Sequence, residues 1–199
     1  MKKEDLEKLL IVVDMVNGFV RKGAMADPYI ERIIPENVRL AREFLEREYG
    51  VAFIKDNHYE NCTEFKRYPK HCVIGTDEAN LVDELIPFEK DALVYPKNST
   101  STIFAPNFLN DIEKMKKLRE VIITGCCTDI CVMNLAIPLQ NYFDQMDKEV
   151  KIIVPENAVE TYGAPFHDRE KWNDEAFKFM NQAGIQLVKK YEGGNNYEK

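Results

Sequence analysis

Six short runs rich in Val, Ile and Leu recur along the chain, at residues 9–13, 51–55, 92–95, 121–124, 150–154 and 185–188, and most of them lack polar alternation. A strand with one wet face alternates polar and apolar residues, whereas a run that stays apolar needs cover on both faces, as in a parallel sheet between two layers of helices. Helical patterns lie between the runs. Residues 28–49 space Ile30, Ile33, Ile34, Val38, Leu40, Ala41 and Leu45 along one stripe, and shorter patterns occupy 80–85, 108–118, 128–146 and 170–183. The alternation predicts a three-layer α/β/α fold: a six-stranded, mostly parallel sheet with helices on both faces, joined by right-handed crossovers.

With 199 residues and no internal repeat, low-complexity linker or shift in composition, the chain reads as one domain over 1–199, with a short lead at 1–8 and a tail from about 192 to 199 that is expected to fray. Apolar residues make up 45% and charged residues 31%, the balance of a globular protein, which excludes disordered and collagenous classes. The 27 basic and 34 acidic residues leave a net charge of −7, so nucleic acid is not an expected partner. No window has the apolar length to span a bilayer, and the charged lead lacks a signal-type apolar run, so no membrane association is expected and the location expected is cytoplasmic. The five Cys, two of them adjacent at Cys126 and Cys127, fit thiols kept for chemistry or packing better than disulfide staples.

In an open parallel sheet the ligand sits beyond the carboxyl ends of the strands, so the residues that end each run are the candidates for chemistry. The first run ends at Asp14, the second at Asp56, Asn57 and His58, the third at Lys97, and the fourth leads through Cys126 and Cys127 to Cys131. An acid, a base and a thiol therefore converge on one edge. Cys131 falls about one turn into the helix that follows, with Thr128 or Asp129 expected as N-cap, a setting that favours thiolate; Lys97 would lower the thiol pKa further and Asp14 could take its proton. A helical Cys taken alone is ordinarily a small core residue, and Asp14 and Lys97 taken alone are ordinarily a structural ion pair and a surface cation. Their matching strand ends favour the chemical reading.

The stretch from about residue 56 to 77 is long for a loop in a compact domain, and it carries Asp56, His58, Glu64 and His71. Asp-x-His sets two ligands on one side of an extended segment, and a loop can bring Glu64 and His71 round to a mixed N and O site for a divalent metal, with zinc first and iron or manganese as alternatives. A structural zinc held by His58, Cys62, His71 and Cys72 competes with this reading, although the Cys spacing matches no strong finger pattern. His167 is assigned no role. Neither G-x-G-x-x-G nor G-x-x-x-x-G-K-[ST] occurs, which argues against dinucleotide binding and phosphoryl transfer.

Val12-Val13-Asp14-Met15 with Phe19, Asp56-Asn57-His58, the segment from Tyr68 through His71 to Thr76, Lys97 with Ser101 and Phe104, and above all Thr124-Gly125-Cys126-Cys127-Thr128-Asp129-Ile130-Cys131-Val132 resemble the isochorismatase-like cysteine hydrolases, and within them the nicotinamidase branch. The resemblance covers most of the chain. It implies an isochorismatase-like, Rossmann-like fold, an Asp-Lys-Cys triad at Asp14, Lys97 and Cys131, a metal site at Asp56, His58 and His71, and in Glu64 an extra ligand found in part of the branch. It further implies a cis peptide between Cys126 and Cys127, which would aim the N–H of Cys127, with that of Cys131, at a developing oxyanion. Val16, Tyr68 and Asn157 depart from the Gln, Trp and Asp common at those positions, the first two beside the substrate. Isochorismatases proper usually lack the nucleophilic Cys, which turns the reading away from vinyl-ether hydrolysis.

The reaction expected is metal-dependent hydrolysis of a small-molecule amide through a thioester, nicotinamide to nicotinate and ammonia, with Phe19 and Tyr68 against the ring and a homo-oligomer as the assembly. A carbamoyl compound or maleamate is the alternative substrate. A non-catalytic binding protein with the same fold is the alternative from another class.

Overall fold

Every residue of the first apolar run is fully buried, from Leu9 to Val13, and the strand that contains it, β1 (Lys8–Val13), runs through the middle of the sheet. The computed structural model describes residues 2–193. Among these, β2 (Gly50–Asp56), β3 (Leu93–Lys97), β4 (Glu120–Cys126), β5 (Lys151–Pro155), β6 (Val159–Glu160) and β7 (Gln186–Val188) join β1 in one sheet. Its order is β3-β2-β1-β4-β5-β7, with β6 paired to β4 off this path, and every pairing is parallel.

The helices are α1 (Asn17–Val20), α2 (Ile34–Glu46), α3 (Ile86–Glu89), α4 (Phe108–Lys114), α5 (Met133–Gln145) and α6 (Arg169–Gln182). The two-residue period of β1 sorts the core into two layers. Leu9, Ile11 and Val13 pack with Phe108 of α4, Leu135 and Leu139 of α5 and Met180 of α6, while Leu10 and Val12 pack with Leu40, Ala41 and Phe44 of α2 on the other face. The three layers expected from the apolar runs are therefore present.

Two expectations need correction. The sheet has seven strands, not six, because β5 pairs only with the first part of β4, at residues 120–122, and the remaining edge of β4 at Gly125 and Cys126 is covered by the short β6. Residues 80–85 form no helix. Leu81 makes an antiparallel bridge to Val16, and the Val82 N–H donates to the Met15 carbonyl at 3.0 Å. Leu81, Val82 and Leu85 are buried against the first strand's exit, so their apolar spacing reflects that packing, and helix begins only at α3.

The tail read as frayed lies mostly outside the described residues; within them, the Gly193 carbonyl accepts from Arg47. No described helix is long and apolar enough to cross a membrane.

Candidate active site

The sheet order changes direction between β1 and β4, the switch point at which such sheets leave a crevice. β1 ends there in Asp14, whose φ of 51° turns the chain out of the sheet while its N–H still donates to the Ile54 carbonyl at 3.0 Å. Gly125 lets β4 pass close by: its φ is 102°, and a Cβ there would stand 2.0 Å from the Val13 carbonyl oxygen. β2 and β3 end in register, with Asp56 opposite Lys97. Four strand ends thus deliver Asp14, Asp56, Lys97 and the Cys126–Cys127 pair to one edge, and the Cys126–Cys127 peptide bond is cis.

Lys97 is the hub. Its Nζ lies 2.8 Å from Asp14 Oδ2, 2.6 Å from Asp56 Oδ1 and 3.7 Å from Cys131 Sγ, and its side chain is 1% exposed. Burial favours its neutral form, but Asp14, Asp56 and Cys131 outweigh that and hold it charged, well above the ordinary lysine range. Burial raises Asp14 to about 6, with Lys97 pulling the other way. Burial also opposes the charge on Asp56, yet Lys97 and the hydrogen bonds from His58 and His71 keep its carboxyl well below the usual range.

Cys131 differs from expectation. Burial pushes its thiol well up, Lys97 opposes this, and Asp14 and Asp56 add to the rise. It lies in a wide π-helical turn, Thr128–Val132, whose N-cap is Cys127 without a side-chain cap, in place of the Thr128 or Asp129 cap expected. Asp129 points elsewhere: it accepts from Thr161 Oγ1 at 2.5 Å and pairs with His167 Nε2 at 2.9 Å. His167 is buried, stacked between Tyr162 and Trp172, with its Nδ1 donating to the Tyr162 carbonyl. The sequence offered no signal for this pair, 38 positions apart.

Asp56 turns its second oxygen, Oδ2, to His58 Nε2 at 2.9 Å and His71 Nε2 at 3.1 Å. The outer ring nitrogens donate to Asn98 Oδ1 and to the Pro69 carbonyl, which fixes both rings with Nε2 inward. Three buried donors within 4.8 Å of one another result. One carboxylate oxygen and two imidazole nitrogens suit zinc, and the two oxygen–nitrogen separations of 2.9 and 3.1 Å approach the roughly 3.3 Å edge of a tetrahedron with about 2.0 Å bonds. Burial presses His58 toward neutrality but Asp56 raises it to about 9, a proton that a cation held there would displace.

Glu64 is buried and lines the same cavity but is not among these three donors. The four-ligand structural zinc site does not assemble among the described residues: Cys62 Sγ meets the outer nitrogen of His58 at 3.4 Å, and Cys72 Sγ is directed to the Glu78 carbonyl at 3.6 Å.

A cavity of about 790 Å³ opens over this edge. Asp56, Cys127 and Cys131 reach it from the strand ends, and Phe19, Tyr68 and His71 line its side, the Phe19 and His71 rings being 5.4 Å apart. A buried acid, an ion-paired lysine and a thiol beside a three-donor metal group can carry proton transfer, acyl transfer to sulfur and binding of a polar substituent.

The isochorismatase domain model matches residues 8–189. Nicotinamidase 1 of Arabidopsis thaliana is 30% identical over 200 residues, covering 90% of this chain and 81% of that protein. The zinc complex of the pyrazinamidase of Pyrococcus horikoshii superposes with a TM-score of 0.75 at 27% identity, covering 92% of this chain and 98% of the other. N-carbamoylsarcosine amidase of Thermoplasma acidophilum shares the fold, with a TM-score of 0.78 at 24% identity over 96% of this chain and all of the other. On the span of that domain match and the identity to the plant protein, the chain belongs to the isochorismatase family of hydrolases.

Proposed function

We propose that this protein is a metal-dependent cysteine amidohydrolase acting on nicotinamide. The observation that carries the reading is the position of Lys97 Nζ, within 3.7 Å of Cys131 Sγ and ion-paired to both Asp14 and Asp56 at the cavity edge. The nicotinamidase and the zinc-bound pyrazinamidase among its relatives support the choice of substrate and ion.

Asp14 takes the Cys131 proton as the sulfur attacks the amide carbonyl, a transfer assisted by its elevated pKa. The N–H groups of Cys127 and Cys131 receive the oxyanion, a donor of this kind being worth roughly a hundredfold in rate. Asp14 then hands the proton to the departing nitrogen, ammonia leaves, and the acyl group stays on Cys131 as a thioester. Water gives a proton to Asp14 and attacks the thioester, and the released sulfur recovers that proton. Lys97 remains charged throughout and holds Asp14 in place. Phe19 and Tyr68 flank the ring. A divalent ion held by Asp56, His58 and His71, zinc first, would when bound supply a Lewis-acid anchor for the pyridine nitrogen.

Ammonia release from a panel containing nicotinamide, maleamate and N-carbamoyl amino acids tests this. Nicotinamide is expected to show the highest kcat/KM. Preference for maleamate or a carbamoyl compound would move the substrate assignment, and the absence of both turnover and preferential iodoacetamide labelling of Cys131 would favour a binding protein.

A further inference from the structure

Two walls of the cavity come from distant parts of the chain. Residues 24–28 form one and lead into the 3-10 turn Pro28–Ile33; the segment that follows β6 and enters α6 forms the other, through Tyr162, Gly163, Ala164, Phe166 and Arg169. They are fastened through Asp27. Its Oδ2 accepts from Arg169 Nη2 at 2.5 Å and from the Gly163 N–H at 2.9 Å, while its Oδ1 accepts the Tyr29 N–H at 3.0 Å.

Arg169 is equally committed. Its Nε donates to the Thr161 carbonyl at 3.0 Å and its guanidinium lies 3.9 Å from the centre of the Tyr29 ring, so one planar group touches both walls at three points. Gly163 belongs to the same fastening, since a Cβ there would stand 2.8 Å from Arg169 Nη2. With side chains 23% and 20% exposed, the Arg169–Asp27 pair is part-buried and lies between the two cavity walls. It ties together two segments that line the same cavity as Cys131.

We propose that Asp27 and Arg169 are specificity-determining residues that act by position: they clasp the cavity walls at a fixed separation, so that compact planar amides reach Cys131 and bulkier molecules are turned away. The inference rests on the reading that the substrate meets Cys131 in this cavity. With the clasp open, a compact amide loses enclosure and a larger one gains entry.

The test uses the full chain as wild type, Asp27→Asn, Arg169→Gln and the double variant. Each is treated with iodoacetamide and with an iodoacetamide carrying a bulky fluorophore, and modification of Cys131 is separated from that of Cys127 by tandem mass spectrometry. The bulky reagent is expected to react about tenfold faster than with wild type in either single variant, and no faster again in the double than in the singles, because both substitutions break the same ion pair. Iodoacetamide itself should change by less than about twofold. Unchanged bulky labelling, or both reagents accelerating together, would overturn the proposal. If loss of the Asp27 cap unfolds Asp27→Asn, Arg169→Gln carries the test alone. With the amide identified by the panel, KM is expected to rise about tenfold with kcat altered by less than about threefold, and ring-substituted amides should gain relative to the parent. Size-selective labelling without hydrolysis of any amide by the wild type would sink the amidase reading and leave the clasp standing.

Discussion

Replacing Lys97 by Met removes the one cation ion-paired to both Asp14 and Asp56 among the described residues and keeps most of the length of the side chain. Asp14 and Asp56 are 0% and 3% exposed at the side chain, so water cannot take the place of the ammonium. Breaking a buried ion pair from one side typically costs about 3–5 kcal/mol. In a chain of this size that lowers Tm by on the order of 10 °C.

The loss has a pH signature. Asp14 titrates at about 6 in the fold against 3.8 when unperturbed, so the folded state keeps a proton that the unfolded chain gives up between those values. By linkage this group costs nothing below about pH 4 and removes about 3 kcal/mol of stability as pH rises through 6. Lys97 works against that rise, so its removal sends the folded pKa higher and extends the decline above pH 6. The deficit of the variant is therefore expected to be smaller near pH 5, where only the pair with ionised Asp56 is lost, than at pH 8, where the charge of Asp14 adds to it. Urea titrations at both pH values measure it, and the Lys97→Met, Asp14→Asn double variant should recover part of the pH 8 deficit. A deficit equal at both pH values, or strict additivity in the double variant, would refute the electrostatic reasoning. The alkylation profile of Cys131 should also move to higher pH, since Lys97 is the group that lowers the thiol pKa against burial.

Cys131→Ala is expected to abolish ammonia release while costing only about 1 kcal/mol of stability, and near-wild-type turnover would exclude Cys131 as nucleophile. In the wild type, kcat/KM should fall as pH drops through about 6, because Asp14 must be ionised to take the thiol proton; an acid limb far from that value would assign the proton to another group. Dialysis against chelator should remove one equivalent of metal and slow pyridine carboxamides far more than reactive esters, with a modest change in Tm. His71→Ala is expected to lose the metal and Cys72→Ala to retain it; the reverse result, by metal analysis, would revive the structural-zinc alternative.

The layers of the fold were legible because a parallel strand buried on both faces cannot hide its composition: Leu9 through Val13 read as a core strand before any contact is known. Asp14, Asp56 and Lys97 were legible for a related reason, each being the first ionisable residue after such a run or closing it. Segments whose order comes from distant partners were not. Residues 80–85 have helical spacing but are held by Met15, Val16 and Asn17, and β6 is two residues long and exists because β4 outruns β5. His167 and Asp129, and the Asp27–Arg169 clasp, join parts of the chain with no common period, so no local pattern reveals them. A turn after a strand suggests helix-dipole stabilisation of the Cys131 thiolate, while the depth of burial that pushes the thiol the other way is a property of the packed whole.

Asp56 gives one oxygen to Lys97 and the other to His58 and His71. For a saturation-mutagenesis experiment this means that tolerance at the site is unequal. A change at His71 withdraws one neighbour of a carboxylate that keeps two others, and a lineage could drift there without collapse. A change at position 56 takes the carboxylate from two imidazoles at once and leaves the Lys97 ammonium with Asp14 alone, and even Glu would have to satisfy two opposed directions from a longer stem. Position 56 should therefore be depleted of variants under selection for abundance alone, before any selection for activity is applied, and the histidines only under the latter.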